Sequence, residues 1–314
     1  MHISPRSRTF TWLLGLLCSL PTFGIDMILP TLPATGLALG VPSSQVGLAM
    51  STYLLGVGVA LPIYGPLSDR IGRRPLIIFG GALLVMASFG CILSQNLTEL
   101  LIFRTLQGIG ACGPGMGALT IVRDLFEGEE ARAKMAHLVL AVNIVPMVAP
   151  TVGAALLLAG GWQAVYWVPV AGGCILLLAM RNVAETAPLD RAGSFSPLAV
   201  ARDYLSVLTN PVCLGNTLCN GAAAGTVFGY ITGSSLFLID VVGLGPGQYG
   251  LIFGASSLSV MGGSLLNQRL GAWGIAPRRM MAIGLTLSMT LSAALLMMAL
   301  ADGKSVVLVV LAMT

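Results

Sequence analysis

Two charged side chains lie well inside long apolar stretches of this sequence, Asp26 in FGIDMILP and Arg104 in LIFRTLQG. A charge near the centre of a membrane-crossing helix costs about 2.5 to 3.5 kcal/mol, so each calls for pairing, water or a function. An aspartate so placed can take up and release a proton, with burial and a nearby cation pulling its charge state in opposite directions. Arg104 is read as that cation or as a regulator of it. The structural alternative is a static ion pair that staples the first and fourth spans. If the first span closes near Leu32 and the fourth opens near Thr98, each charge sits about six residues, roughly 9 Å, beneath the same boundary. At that depth one water-filled cavity can hold both; a first helix that runs on beyond Pro33 would set Asp26 deeper.

A second charged group occupies Gly65 to Pro75, GPLSDRIGRRP, between two apolar runs. Asp69, Arg70, Arg73 and Arg74 make it a tight connection between spans. Gly65 and Gly72 permit close approach or a turn, and Pro75 suits the first turn of the next helix. Its arginines anchor the connection on the inner side of a membrane.

Composition sets the class. Of 314 residues 56% are hydrophobic and only 9% charged, far below the roughly one-quarter charged of soluble domains. The reading is an all-α polytopic membrane protein whose partner is the lipid bilayer. The formal charge of +4 comes from basic residues in separate loops, so topology explains it and no nucleic-acid partner is expected. Six cysteines are scattered through apolar runs and read as small packing residues. His2 and His137 sit at the tail and at a helix end, so neither a metal site nor a cofactor is expected, protons apart. No Ser-His pair or metal-ligand cluster lies in the spans, which argues against an enzyme.

Spans of about 20 apolar residues fall near 10–32, 46–66, 75–94, 98–122, 136–158 and 162–181, then 211–239, 248–268 and 280–301, with a tenth opening at Ser305. The expected domains are a six-helix half over 1–182, a cytoplasmic linker over 183–205, and a second half over 206–314. On this topology fourteen of the sixteen Lys and Arg residues lie inside, Lys304 lies outside and Arg104 is within a span. That asymmetry fixes a cytoplasmic N-terminus. Leu67, Arg70, Ile71 and Gly72 recur 199 residues on as Leu266, Arg269, Leu270 and Gly271, with Gln268 in place of the aspartate, an echo between the halves at equivalent connections. On that shift Thr314 falls opposite Gly115, in the fourth span, so the second half is expected to stop within its tenth helix.

The Gly65–Pro75 stretch resembles the signature between the second and third helices of the major facilitator superfamily, with Gly65, Asp69, Arg70, Gly72, Arg73 and Arg74 on its pattern. The resemblance implies a conformational latch that docks on helix ends in one state and releases in the other. Leu100, Arg104, Gln107, Gly108 and Gly110 match the fourth-helix pattern of proton-coupled members, where the arginine is associated with proton transfer. IDMILPTLP at Ile25 to Pro33, STYLLG at Ser51 to Gly56, FGYITGSS at Phe228 to Ser235 and NQRL at Asn267 to Leu270 resemble the Bcr/CflA branch of drug:proton antiporters.

That branch implies export of bicyclomycin, chloramphenicol-type and other amphipathic drugs across the bacterial inner membrane. Pro150 and Gly153 keep part of the antiporter pattern of the fifth helix, whereas Val145, Ala149 and Ala154 stand where glycine is frequent. Ile28 and Leu61 replace a frequent tyrosine and glutamine. In the seventh span Asn216, Thr217, Asn220, Tyr230, Thr232, Ser234 and Ser235 interrupt an apolar run, either to bind substrate or to satisfy neighbouring helices. Asp26, Tyr230 and Asn220 are the binding candidates, Tyr230 foremost because a ring with a polar tip suits amphipathic ligands. The alternatives to drug export are a facilitator for a native metabolite and an inactive remnant or membrane interaction protein.

Overall fold

The computed structural model of the chain describes residues 4–186 and 197–300. Its elements are helices joined by short connections, as expected for a backbone that must satisfy its own polar groups in lipid. Ser7 caps α1 (Arg8–Asp26), its Oγ accepting the Phe10 N–H at 3.2 Å. A 3-10 turn over Leu29–Thr31 follows, and the chain resumes as α2 (Leu32–Leu39). The first span therefore runs on to Leu39, past the end expected near Leu32. Pro30 and Pro33 look like a stop in the sequence, but each occupies an opening position of a new helical segment, where its missing N–H costs nothing. Asp26 accordingly lies about 13 residues from that end, roughly 20 Å along a helix, and is deeper than its sequence position implies.

After the short α3 (Ser43–Val46), α4 (Leu48–Ile71) and α5 (Arg73–Leu93) are separated by Gly72 alone. The connection expected as an eleven-residue loop is thus mostly helix. Gly72 makes the whole turn at φ +100°, a region that favours glycine. Asn96 opens α6 (Leu97–Leu125): its Oδ1 accepts the Glu99 N–H at 2.9 Å, and Glu99 returns a carboxylate to the Gln95 N–H at 2.9 Å. Then come α7 (Gly128–Gly160), a 3-10 turn over Trp162–Tyr166 and α8 (Trp167–Met180).

The next helix, α9 (Pro197–Thr209), lies across the boundary expected between linker and second half. It is followed by α10 (Pro211–Ser235), a π turn over Leu236–Val241, α11 (Pro246–Ala272) and α12 (Pro277–Leu300). The tenth span expected from Ser305 and most of the linker lie outside the described residues. Six of the described helical segments are long and apolar enough to cross a membrane.

Helix α6 is the axle of the first half, packed on α4 and α5 and touching α1. Glycines let these backbones meet. A Cβ on Gly56 would strike the Thr105 carbonyl, and one on Gly108 would strike the Tyr53 carbonyl. The second half is held differently. Its α11 packs on α7, and Ser235 Oγ donates to the Leu29 carbonyl at 2.5 Å. Ser43 Oγ also donates to Asp240. All of these contacts sit at the end of the bundle away from the Gly72 turn, here called the far end. Toward the opposite, latch end, α10 is exposed at every residue from Pro211 to Val227. The halves therefore meet at the far end; toward the latch end α10 stands apart, and the Tyr204 hydroxyl of α9 reaches across to donate to the Pro62 carbonyl of α4 at 2.9 Å.

Candidate functional site

Arg104 is the centre of the first half, with no exposed surface. Its Nε donates to the Ala49 carbonyl at 3.1 Å, and its Nη1 donates to the Gly24 carbonyl at 2.8 Å and to Gln107 Oε1 at 2.5 Å. Nη2 faces Met50 Sδ at 3.9 Å, and the guanidinium lies 4.4 Å above the Tyr53 ring. Gln107 in turn donates to Ser88 Oγ at 2.8 Å. The helices α1, α4, α5 and α6 thus share one polar node.

Asp26 is not part of that node. No salt bridge joins it to Arg104 among the described residues, so the static staple is not formed. The reason is local: α1 turns its Gly24 carbonyl toward the guanidinium, and Tyr53 lies against the Gly24 backbone with its OH donating to the Pro21 carbonyl at 2.9 Å. Asp26 is 2% exposed and its Oδ2 has no hydrogen-bond partner. The two charges are therefore sealed in protein and not held in a common open cavity. A buried carboxyl with an unpaired oxygen is expensive to keep charged, so it calls for a partner or for water to reach it.

The latch residues fall into one compact network. Arg73 Nη1 contacts Asp69 Oδ1 at 2.5 Å and Ser68 Oγ at 2.6 Å, and its Nε bonds Asp124 Oδ2 at 2.9 Å. Glu185 accepts the N–H groups of Arg73 and Arg74 at 2.8 and 3.1 Å, capping the start of α5 with a negative charge. Arg74 donates from Nε to the Met180 carbonyl at 2.9 Å and from Nη2 to the Arg181 carbonyl at 3.3 Å, beyond the end of α8. Arg70 lies in the last turn of α4. Gly65 makes no close contact, its nearest neighbour being the Met116 side chain at 3.9 Å from a built Cβ. Asp124, Ser68 and Glu185 were not among the expected latch residues. The one available signal was a carboxylate just past the sixth span, at the end where two α5 N–H groups need an acceptor.

The antiporter-helix residues sit where α7 touches both halves. A Cβ on Gly153 would strike the Met27 carbonyl of α1's end, and Gly250 of α11 approaches the backbone at Pro150 and Thr151. Tyr230 is half-buried, donates to or accepts from Ser256 Oγ at 3.2 Å, and stacks on Phe253 with centroids 6.2 Å apart. Asn220 is exposed, in the stretch of α10 that leaves the first half. Tyr230 packs against the buried cluster that holds Met27 and Ile28, whereas Asn220 is exposed.

Helical spans, a charged turn at one end, a sealed acid in mid-bundle and two halves meeting at one end define a polytopic transporter. Residues 13–314 match the Major Facilitator Superfamily, and the chain belongs to it. It is 32% identical over 302 residues to the uncharacterized MFS-type transporter YdgK of Bacillus subtilis strain 168, covering 95% of this chain and 75% of that one. It is also 32% identical over 231 residues to the multidrug resistance protein MdtL of Escherichia coli O9:H4 strain HS, covering 73% of this chain and 58% of that protein. The fold is shared with the D-xylose-proton symporter at TM-score 0.67 and 16% identity, over 98% of this chain and 78% of the other. A bacterial homolog of the human lysosomal transporter Spinster, in an inward-facing and unoccupied conformation, aligns at TM-score 0.66 and 18% identity, over 85% and 64% of the two chains.

Proposed function

We propose that this transporter is a drug:proton antiporter of the Bcr/CflA type, exporting amphipathic compounds across a bacterial inner membrane. The observation that carries the reading is Asp26, a carboxyl in mid-bundle whose Oδ2 has no partner although a guanidinium is satisfied nearby by other groups. A structural acid would be paired; one that loads and unloads a proton needs a free oxygen. Similarity to a protein named for multidrug resistance supports the substrate class. With the charged turn placed on the cytoplasmic side, the far end is periplasmic, and the described arrangement is open toward the cytoplasm, ready to take up a drug.

The energy is adequate. One proton moving down about 100 mV releases roughly 2.3 kcal/mol, which sustains an approximately fifty-fold gradient of a neutral drug. The test is Asp26→Asn in the whole protein in proteoliposomes, with an imposed pH gradient. Proton-driven export is expected to vanish while drug exchange without a gradient persists. Unchanged proton-driven export would overturn the assignment. Export restricted to one chemical class across a varied compound set would point instead to a facilitator for a native metabolite.

A further inference from the structure

Proton exchange at Asp26 must alternate between the two membrane faces, so something has to cover the carboxyl on the face that is closed. At the far end the residues packed on α1's end come from α7 of the same half and from α10 and α11 of the other. Tyr249 of α11 has no exposed surface and belongs to one buried cluster with Met27, Ile28 and Met50. Its ring packs on Phe253 at 5.8 Å between centroids, and its OH lies 3.4 Å from Ser234 Oγ. The neighbouring Gly250 is pressed against the α7 backbone at Thr151, which fixes the height of the ring in the seam. Ser235, the next residue of α10, donates to the Leu29 carbonyl at 2.5 Å, so the Tyr249 phenol stands beside the chain three residues past Asp26.

We infer that Tyr249 is the far-side cover of Asp26, a positioning residue that belongs to the second half and decides from which face the carboxyl is reached. When the halves meet at the far end, the ring fills the space above the acid. When they part there, α11 carries the ring away and the carboxyl faces the far side, where water can take its proton. Tyr53 cannot serve this purpose, because it is bonded to Pro21 of the same half as Asp26 and moves with it. The substrate candidate Tyr230 stacks on Phe253, which packs on Tyr249. A ligand that shifts Tyr230 therefore bears on the cover through one intervening ring.

The inference rests on Asp26 being the coupling carboxyl, but its test reads access and not transport. The full chain in oriented proteoliposomes is treated from the far side with a water-soluble carbodiimide and glycine methyl ester. Adducts are located by mass spectrometry, with exposed Asp240 as the reference site. Tyr249→Ala is expected to raise modification of Asp26 several-fold relative to Asp240, while Tyr249→Phe, which keeps the ring, stays at the level of the parent protein. Equal modification in parent and Tyr249→Ala, or equal enhancement in Tyr249→Phe, would overturn the inference.

If Tyr249→Ala does not fold, a second measurement decides. Bridging Ser43→Cys to Asp240→Cys with a short bifunctional maleimide holds the far end shut in a chain that keeps Tyr249. Asp26 modification is then expected to fall relative to Glu99, and undiminished modification would overturn the inference. Failure of the Asp26→Asn transport test with success here would remove the coupling role and leave the cover in place.

Discussion

Arg104 shows how much of a site is written in residue types and how much in backbone. Its presence in a span announced a polar node, and its spacing from Gln107 put both on one helix face. Its acceptors were not legible, because two of them are main-chain carbonyls brought within reach by glycines on α1 and α6. The same limit explains Glu185, which reads as one more polar residue after a span until the fold sets it against Arg73 and Arg74. Arg104→Lys keeps the charge but loses the fork, leaving buried carbonyls without donors. It is expected to destabilise the protein by about 2 to 3 kcal/mol, seen as a lower unfolding midpoint in detergent. Glu185→Ala removes the cap on α5 at a cost of about 1 kcal/mol. Faster hydrogen exchange confined to the Arg73 and Arg74 amides would show it, and unchanged exchange would refute the cap.

At the scale of helices, the span pattern was readable because hydropathy marks what lipid must cover, and nine expected spans have helical counterparts. The first span runs past its expected end near Leu32 for a definite reason: Pro30 and Pro33, which would break an ideal helix, each open a new segment. Helix contacts follow from where a side chain has no room. Gly108→Val in α6 meets the Tyr53 carbonyl and is expected to cost about 1 to 3 kcal/mol, or to force α4 and α6 apart. Gly58→Ala in α4, where a built Cβ meets nothing within 4 Å, is expected to be neutral or slightly stabilising. Comparable thermal midpoints for the two variants would show that this crossing is not close-packed.

The whole molecule is asymmetric. Glycines of α10 such as Gly215, Gly221 and Gly225 have no neighbour within 4 Å of a built Cβ, whereas those of α6 are crowded. The two halves are thus joined by a seam at one end that includes the Ser235 bond to the Leu29 carbonyl. Ser235→Ala removes about 1 kcal/mol from that seam and is expected to raise the population open at the far end about fivefold. Distances between spin labels at Gln45 and Val241 would report it, and an unshifted distribution would show that the bond does not hold the seam. None of this pairing was visible in the sequence, because Ser235 and Leu29 are ordinary residues of two separate spans.

Among the described residues no carboxylate is salt-bridged to Arg104, and this has an electrical consequence. With Asp26 neutral, the pair contributes one positive charge to the interior of the bundle; with Asp26 ionised it contributes none. A membrane potential acts on that difference, at about 2.3 kcal/mol per charge per 100 mV if the whole field is crossed. In the proposed proton-coupled cycle the loaded and unloaded carriers would therefore respond unequally to voltage, and the step made without the proton would be the one on which the field has least grip.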